Sequence, residues 1–268
     1  MKKIALKFGA DPEKFVKKDG KFISAYGLIP GTKANPYNVN FGAVQVDGMA
    51  LEFNIEPANS FDDFSHNITE VLLQLRAMLP PNLEVVDDAV AEFDCAYIAA
   101  QPDEARLLGC ESDFNAYTGE ENPPPIDHPF MRTAAGHIHI GWTEGQPYLD
   151  ESHFNPCCKF ARQLDYFQGA PSIIYDKSHK RRELYGKAGA FRPKSYGLEY
   201  RVLSNYWVES IEHKKRVYNN TIIAFSSLVY DKFDAHKEFG ETELNAEKII
   251  NNNDIKAARL LVKELNLD

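Results

Sequence analysis

No run of about 18 apolar residues occurs anywhere in this 268-residue chain, so the sequence offers no transmembrane helix. Its start, MKKIALKFGADPE, has two lysines but turns polar too early to form the apolar core of a signal peptide. A cytosolic protein is expected. Cysteine is scarce: Cys95, Cys110, Cys157 and Cys158 show no CxxC spacing, and the adjacent pair cannot readily bridge. Neither a zinc knuckle nor a disulfide scaffold is suggested, and the four read as buried small hydrophobes. Positive charge is in deficit, with 30 Lys and Arg against 39 Asp and Glu and a net charge of −9. That balance argues against a broad nucleic-acid surface, although the KSHKRR run from Lys177 to Arg182 could meet phosphates locally. There is no GxxxxGK[ST] loop and no strand-linked GxGxxG. A nucleotide, if bound, is then held through metals and arginines and not by a glycine cradle. No internal repeat, low-complexity tract or linker interrupts the chain, so residues 1–268 read as one domain, long enough to bury a substantial core.

What the chain does carry is alternation. In Arg132 to Gly141 (RTAAGHIHIG) successive side chains of a strand point to opposite faces, so His137 and His139 project one way and Ile138 and Ile140 the other. Gly136 and Gly141 bracket the pair and let another backbone or a ligand approach. Taken alone, this is equally well a half-buried strand with hydrogen-bonded histidines. Lys3 to Phe8 reads as a first strand ending at Gly9 and delivering Asp11 and Glu13. Asp19-Gly20 and Asp47-Gly48 supply the turns of two hairpins. In the second, Glu52, Asn54 and Glu56 share one face. Ser60 caps a helix with the stripe Phe64, Ile68, Val71, Leu72 and Leu75, stopped by Pro80-Pro81. Leu83 to Val86 and Glu92 to Ala99 read as strands, and residues 110 to 125 as an irregular surface segment. A helix is predicted from Asn155-Pro156 to about Phe167, ended by Gly169. Gly197 to Asn205 reads as a strand with Glu199 and Arg201 on one face. The remainder reads as helical: Val208 to Lys232, a segment started by Thr242, and a last one capped by Asn253.

Four strands therefore present charged or imidazole groups at i, i+2 spacing: Asp11 and Glu13, Glu52 and Glu56, His137 and His139, Glu199 and Arg201. So many carboxylates on one sheet raise one another's pKa unless cations are bound. Mixed carboxylate and imidazole ligation suits magnesium, or manganese where histidine takes part. Each pair alone has a bland reading, Asp11 and Glu13 as solvated turn residues, Glu52 and Glu56 as the wet face of an antiparallel sheet. Most of the basic run reads as a solvated loop. Arg192 and Arg201, however, flank Glu199 closely enough to converge, and guanidinium forks match phosphate oxygens.

Five motifs, GADPE, VDGMALEFNIEPA, CESDFNAYTG with NPPP, RTAAGHIHIG and YGKAGAFRPKSYGLEYR, follow one another between residue 9 and about residue 207. Together they resemble the phage-type carboxylate-amine ligases of the glutamine synthetase-like superfamily and, more distantly, the glutamate-cysteine ligases. The resemblance implies an α+β fold, a curved antiparallel sheet with helices packed on its convex face and the C-terminal helices from about residue 208 among them. Its concave face would bind ATP with Mg2+ or Mn2+. By motif, Asp11, Glu13, Glu52, Glu56, His137 and Glu199 would ligate metal, and His139 would contact phosphate. Arg201, with Arg192 and either Arg182 or Lys187, would hold the transferring phosphate, and Arg201, Arg192 and Glu52 would be the catalytic groups. One departure is plain: the superfamily's Glu-x-Glu is Asp11-Pro12-Glu13 here.

The implied reaction is ATP-dependent formation of an amide or peptide-like bond through an acyl phosphate. The implied partners are a small-molecule or peptide carboxylate and an amine, not nucleic acid or membrane, and the implied place is the cytoplasm, that of the host for a phage-encoded chain. Loops Tyr26 to Asn40 and Glu111 to Pro125 are expected to choose the substrates. Two alternatives stay open from the residues. One is a zinc hydrolase built on His137 and His139. The other is an inactive relative that only binds.

Overall fold

The computed structural model describes residues 5–106, 112–124, 128–176 and 178–267. Cys110, Lys177 and parts of the segment expected between 110 and 125 lie outside the described residues. The strands are β1 Lys7–Lys18, β2 Lys21–Ile23, β3 Tyr37–Val39, β4 Gly42–Asp47, β5 Ala50–Ile55, β6 Glu84–Val86, β7 Val90–Glu92, β8 Phe114–Asn115, β9 Met131–Thr133, β10 Gly136–Gly141, β11 Ala190–Lys194 and β12 Gly197–Tyr200. The helices are α1 Phe61–Ala77, α2 Cys95–Ala99, α3 Asp103–Arg106, α4 Glu151–Leu164, α5 Ala170–Tyr175, α6 His179–Leu184, α7 Ile211–Val229, α8 Ala235–Phe239, α9 Ala246–Asn251 and α10 Ile255–Glu264. No helix among the described residues is long and apolar enough to cross a membrane.

The main sheet runs β3-β4-β5-β1-β10-β12-β11-β8, with β2 and β6 added to the end of β1, and its pairings are antiparallel. The fold is α+β. Cross-strand neighbours share a face, so the register sorts the side chains into rows. Ala10, Ile138, Tyr200 and Phe191 form one row. Gly9, His139, Glu199 and Arg192 form the next, on the opposite face. The apolar row packs with Phe64, Ile68 and Leu75 of α1, Phe160 and Leu164 of α4, and Val217 and Phe225 of α7 in the principal core. Each such buried side chain stabilises by about 1.5–3 kcal/mol, enough to fix which face of each strand turns inward. A smaller cluster around Phe15, Met49, Phe93 and Ile98 involves α2 at the far end of β1, so the helices are not confined to one side.

Several sequence expectations change. The first strand does not end at Gly9 but continues through Pro12 to Lys18. Pro12 has no N–H to give, and the backbone of its partner Gly136 bonds elsewhere, its N–H to Leu203 O and its carbonyl to Trp207 Nε1. The strand read over Glu92 to Ala99 keeps only Glu92, the last residue of β7, because Asp94 caps the backbone N–H groups of Ala96 and Tyr97 and starts α2. The helix expected at Asn155 begins at Glu151 under the cap Asp150, with Pro156 inside it. Gly169 does not stop the run. A π-helical turn, Asp165–Gly169, leads into α5, and a Cβ at Gly169 would lie 2.6 Å from Tyr200 Oη. The strand read over Gly197 to Asn205 ends at Tyr200. The C-terminal helices are capped by Ser210, Asn245 and Asp254, the last two displacing the Thr242 and Asn253 starts.

Candidate functional site

The polar face of the sheet gathers its groups because each strand contributes alternate residues to it. Asp11 pairs with His137, Gly9 with His139, and Glu13 with Glu52 across β1. His139 in turn sits opposite Glu199, and Glu199 opposite Arg192. Glycine at position 9 leaves room for the His139 ring, since a Cβ there would stand 3.2 Å from His139 Cβ.

Asp11 lies between the imidazoles, Oδ1 3.4 Å from His137 Nδ1 and Oδ2 3.2 Å from His139 Nε2. Burial pushes its carboxyl up, but His139 and then His137 hold it well below the usual range. Burial opposes a charge on His139 as well, yet Asp11 raises that imidazole. His137 is pushed down to about 4 by burial and by the Arg201 guanidinium, so it is neutral at physiological pH. Glu13 and Glu52 behave oppositely to Asp11. Glu13 rises to about 7 through burial and then Asp47, although its Oε2 accepts the Ala135 N–H at 2.7 Å. Glu52 rises well above the usual range through burial and then Asp11, and its Oε2 accepts from Gln45 Nε2 at 2.7 Å. In both, burial comes before any neighbouring charge as the reason the carboxyl resists losing its proton.

Ligand atoms of Asp11, His139 and Glu199 all lie within 4.8 Å of one another, the spacing that one cation can bridge. Asp11 Oδ1 is buried and accepts no hydrogen bond from the described residues, an orphan that a cation would satisfy. These donors fit a magnesium or manganese ion in chemistry and in spacing. The trio contains His139, expected as a phosphate contact, and not His137, whose Nδ1 lies alongside, 3.4 Å from Glu199 Oε1.

Positive charge gathers around the carboxylate of Glu199. Arg201 Nη1 donates to Glu199 Oε1, Arg192 Nη1 to Glu199 Oε2 at 3.1 Å, and Lys194 Nζ lies 3.1 Å from the same oxygen. Arg201 Nε also reaches Asp113 Oδ2 at 3.0 Å, and Arg192 Nε the carbonyl of Ser112 at 3.3 Å. The segment after residue 111 is thereby tied over the site. Beside His139 opens a cavity of about 520 Å3, lined among others by Phe8, Trp142, Thr143, Glu144 and Tyr196.

Not every expected residue joins. Glu56 lies one position past the end of β5 and is exposed, its backbone N–H bonded to Phe41 O, so the alternation that would place it beside Glu52 has ended. Arg182 faces Asp176 at 3.5 Å and Ser172 at 3.4 Å, both in or beside α5. Lys187 is exposed in the turn before β11. Sequence reasoning missed Lys194, Asp113, Gln45, Tyr185 and Tyr196. Of these, Lys194 was signalled by its i, i+2 spacing from Arg192. Asp113 and the tyrosines come from turns and short segments whose patterns carry no facing information.

Residues 129–248 match the profile of the family described as Phage phiEco32-like COOH.NH2 ligase-type 2, the resemblance that the motifs carry. His137, His139, Arg192, Glu199 and Arg201 fall inside that stretch, Asp11, Glu13 and Glu52 before it. Among solved structures, a bifunctional glutathione synthetase from Pasteurella multocida is similar over 98% of this chain at 11% identity, with a TM-score of 0.43. The chain spans 45% of that protein's length. A novel glutamine synthase homolog is similar over 98% of this chain and 71% of its own, at 11% identity and a TM-score of 0.37. No curated protein sequence matches.

Proposed function

We propose that the chain is an ATP-dependent carboxylate-amine ligase that forms an amide or peptide-like bond through an acyl phosphate. The observation that carries this reading is the single cluster on one face of the sheet in which Asp11, His139 and Glu199 meet Arg192, Lys194 and Arg201. It is a cation site and an anion site sharing one carboxylate. A zinc hydrolase would use the imidazoles and leave the three basic groups idle.

Bound at Asp11, His139 and Glu199, with His137 beside them, Mg2+ or Mn2+ would neutralise phosphate charge and let the buried carboxylates ionise. Arg192 and Arg201 would then leave Glu199 for the γ-phosphoryl oxygens, charge that a guanidinium fork meets with two parallel hydrogen bonds. The phosphoryl group passes to a substrate carboxylate, ADP leaves, and the acyl carbon gains a leaving group better than oxide. An amine attacks that carbon, the new C–N bond replaces the C–O bond to phosphate, and the amine's proton is lost to solvent or to a carboxylate of the face. The mostly apolar cavity beside His139 would seat the nucleotide's base, with Trp142 and Tyr196 available to stack.

ADP release tests the reading, screened against a panel of amino acids and amines with Mg2+ or Mn2+, with His137→Ala as the blank. Release that needs both a carboxylate and an amine and is lost in the variant is the expected result. Substrate hydrolysis without ATP would contradict it.

A further inference from the structure

Arg181, in α6, is fully buried, and its guanidinium is only partly bonded. Nη1 donates to Val202 O at 2.8 Å, but Nε and Nη2 meet no acceptor among the described residues. The two carboxylates that favour its charge are engaged elsewhere, Glu13 by the Ala135 N–H at 2.7 Å and Asp176 by Arg182 at 3.5 Å. A buried cation in this state is costly until an anion completes it.

The two idle nitrogens are neighbours on the guanidinium. Nε and Nη2 lie along one edge with parallel N–H bonds, the fork that the two oxygens of a carboxylate match. Arg182 offers no such edge: its idle nitrogens, Nε and Nη1, diverge, and Asp176 meets its charge. The Arg181 fork also stands next to the candidate site. Its guanidinium lies 5.3 Å from the centroid of the Tyr185 ring, and that of Arg201 5.4 Å from the same centroid. Tyr185 Oη accepts from Arg201 Nη2 and stands 3.2 Å from His137 Nε2. Gly186, at a φ of 74°, lies against the Arg181 guanidinium with backbone alone, since a Cβ there would stand 2.8 Å from Cζ and 2.9 Å from Nη2.

We propose that the Nε–Nη2 edge of Arg181 seats a substrate carboxylate, one that anchors the substrate and does not itself react. A carboxylate whose two oxygens are both held by a guanidinium is a poor nucleophile toward phosphorus, so the group activated beside Arg201 is a different one. The anchor stands on the geometry of Arg181, and its use in catalysis rests on the ligase reading. Under that reading the substrate class is a carboxylic acid with a second carboxylate, or an amine with a carboxylate of its own. Gly186 turns aside as the anchor enters.

The test follows the Arg181 Nε–H resonance of 15N-arginine-labelled protein, assigned through its contact with the Tyr185 ring, as formate replaces chloride at constant ionic strength. A saturable shift is the expected result. No shift, or one that never saturates, would overturn the proposal. In the ADP-release assay, Arg181→Lys keeps the charge and loses the fork. Its KM should rise about 10- to 100-fold, with kcat less affected. If the acid carries the anchor, the rise appears for a dicarboxylate and not for its monoamide; if the amine does, for an amino acid and not for its amide. An unchanged KM for all of them, in a variant with wild-type circular dichroism, would overturn the proposal. Should the variant not fold, the formate titration decides alone. Saturable formate binding without ADP release upholds the anchor and counts against the ligase reading. ADP release by a protein whose Arg181 ignores formate counts against the anchor alone.

Discussion

Glu199 receives more positive charge than one carboxylate needs. Burial pushes its carboxyl up, yet Arg201 chiefly holds it well below the usual range, and Arg192 and Lys194 lie close to its second oxygen. That redundancy sets the outcome of losing one member. Arg201→Ala should fold, because Glu199 keeps two cationic partners, and should lose about 10²- to 10³-fold in the rate of ADP release, as removal of a transition-state donor does elsewhere. Steady-state rates with circular dichroism as the control check this. Asp165 is the opposite case, a buried carboxyl with no cation against it among the described residues. Burial pushes it up to about 7, against the donors Tyr200 Oη at 2.6 Å, Tyr117 Oη at 2.9 Å and the Gly189 N–H at 2.6 Å. The fold therefore keeps this proton after the unfolded chain has lost it, and the Asp165 contribution to stability falls as pH rises from about 4 to about 7. Urea midpoints across that window should decline more steeply in wild-type protein than in Asp165→Asn. Parallel profiles would refute the assignment.

β10 carries both histidines, and its position is set by a residue with no side chain. A Cβ on Gly136 would stand 2.4 Å from Ser204 O and 2.6 Å from Trp207 Nε1, contacts that real structures do not contain. At Gly141, the other end of the strand, the nearest atom would be an ordinary 3.5 Å away. Gly136→Ala should accordingly cost about 1–3 kcal/mol in urea unfolding, while Gly141→Ala should cost little. Equal effects would mean that close approach at Gly136 does not fix the strand. The elements legible in the sequence were those with local signals. Asp19 and Gly20 both take the positive φ that their turn needs, and Ser60 accepts the Asp63 N–H as a cap should. The illegible ones depended on distant partners. Pro12 reads as a breaker until the Trp207 indole and Leu203 carbonyl take over the bonds of Gly136, and Lys14 sits wholly buried against the core because Asp87 meets its ammonium. In α6, adjacent arginines lie about 100° apart around the axis, so Arg181 stacks on Tyr185 while Arg182 turns to Asp176. No pattern in KSHKRR distinguishes them.

At the scale of the molecule, one sheet divides the chemistry from the packing. Alternation predicted that division from sequence, because a strand cannot present Ile138 and His139 to the same side. It also brought together Glu13, Glu52, His137 and Glu199, residues spread over nearly 190 positions of chain, on one face. What alternation could not supply was the rim, where Asp113, Tyr185 and Tyr196 enter from turns. The central claim is that this crowded face is tolerable because it is built for a divalent cation, and Mn2+ binding followed by electron paramagnetic resonance tests it most directly. Wild-type protein should bind Mn2+ competitively with Mg2+, and Asp11→Asn should bind it at least about tenfold more weakly. No Mn2+ binding by the wild-type protein, or identical binding by the folded variant, would contradict the account.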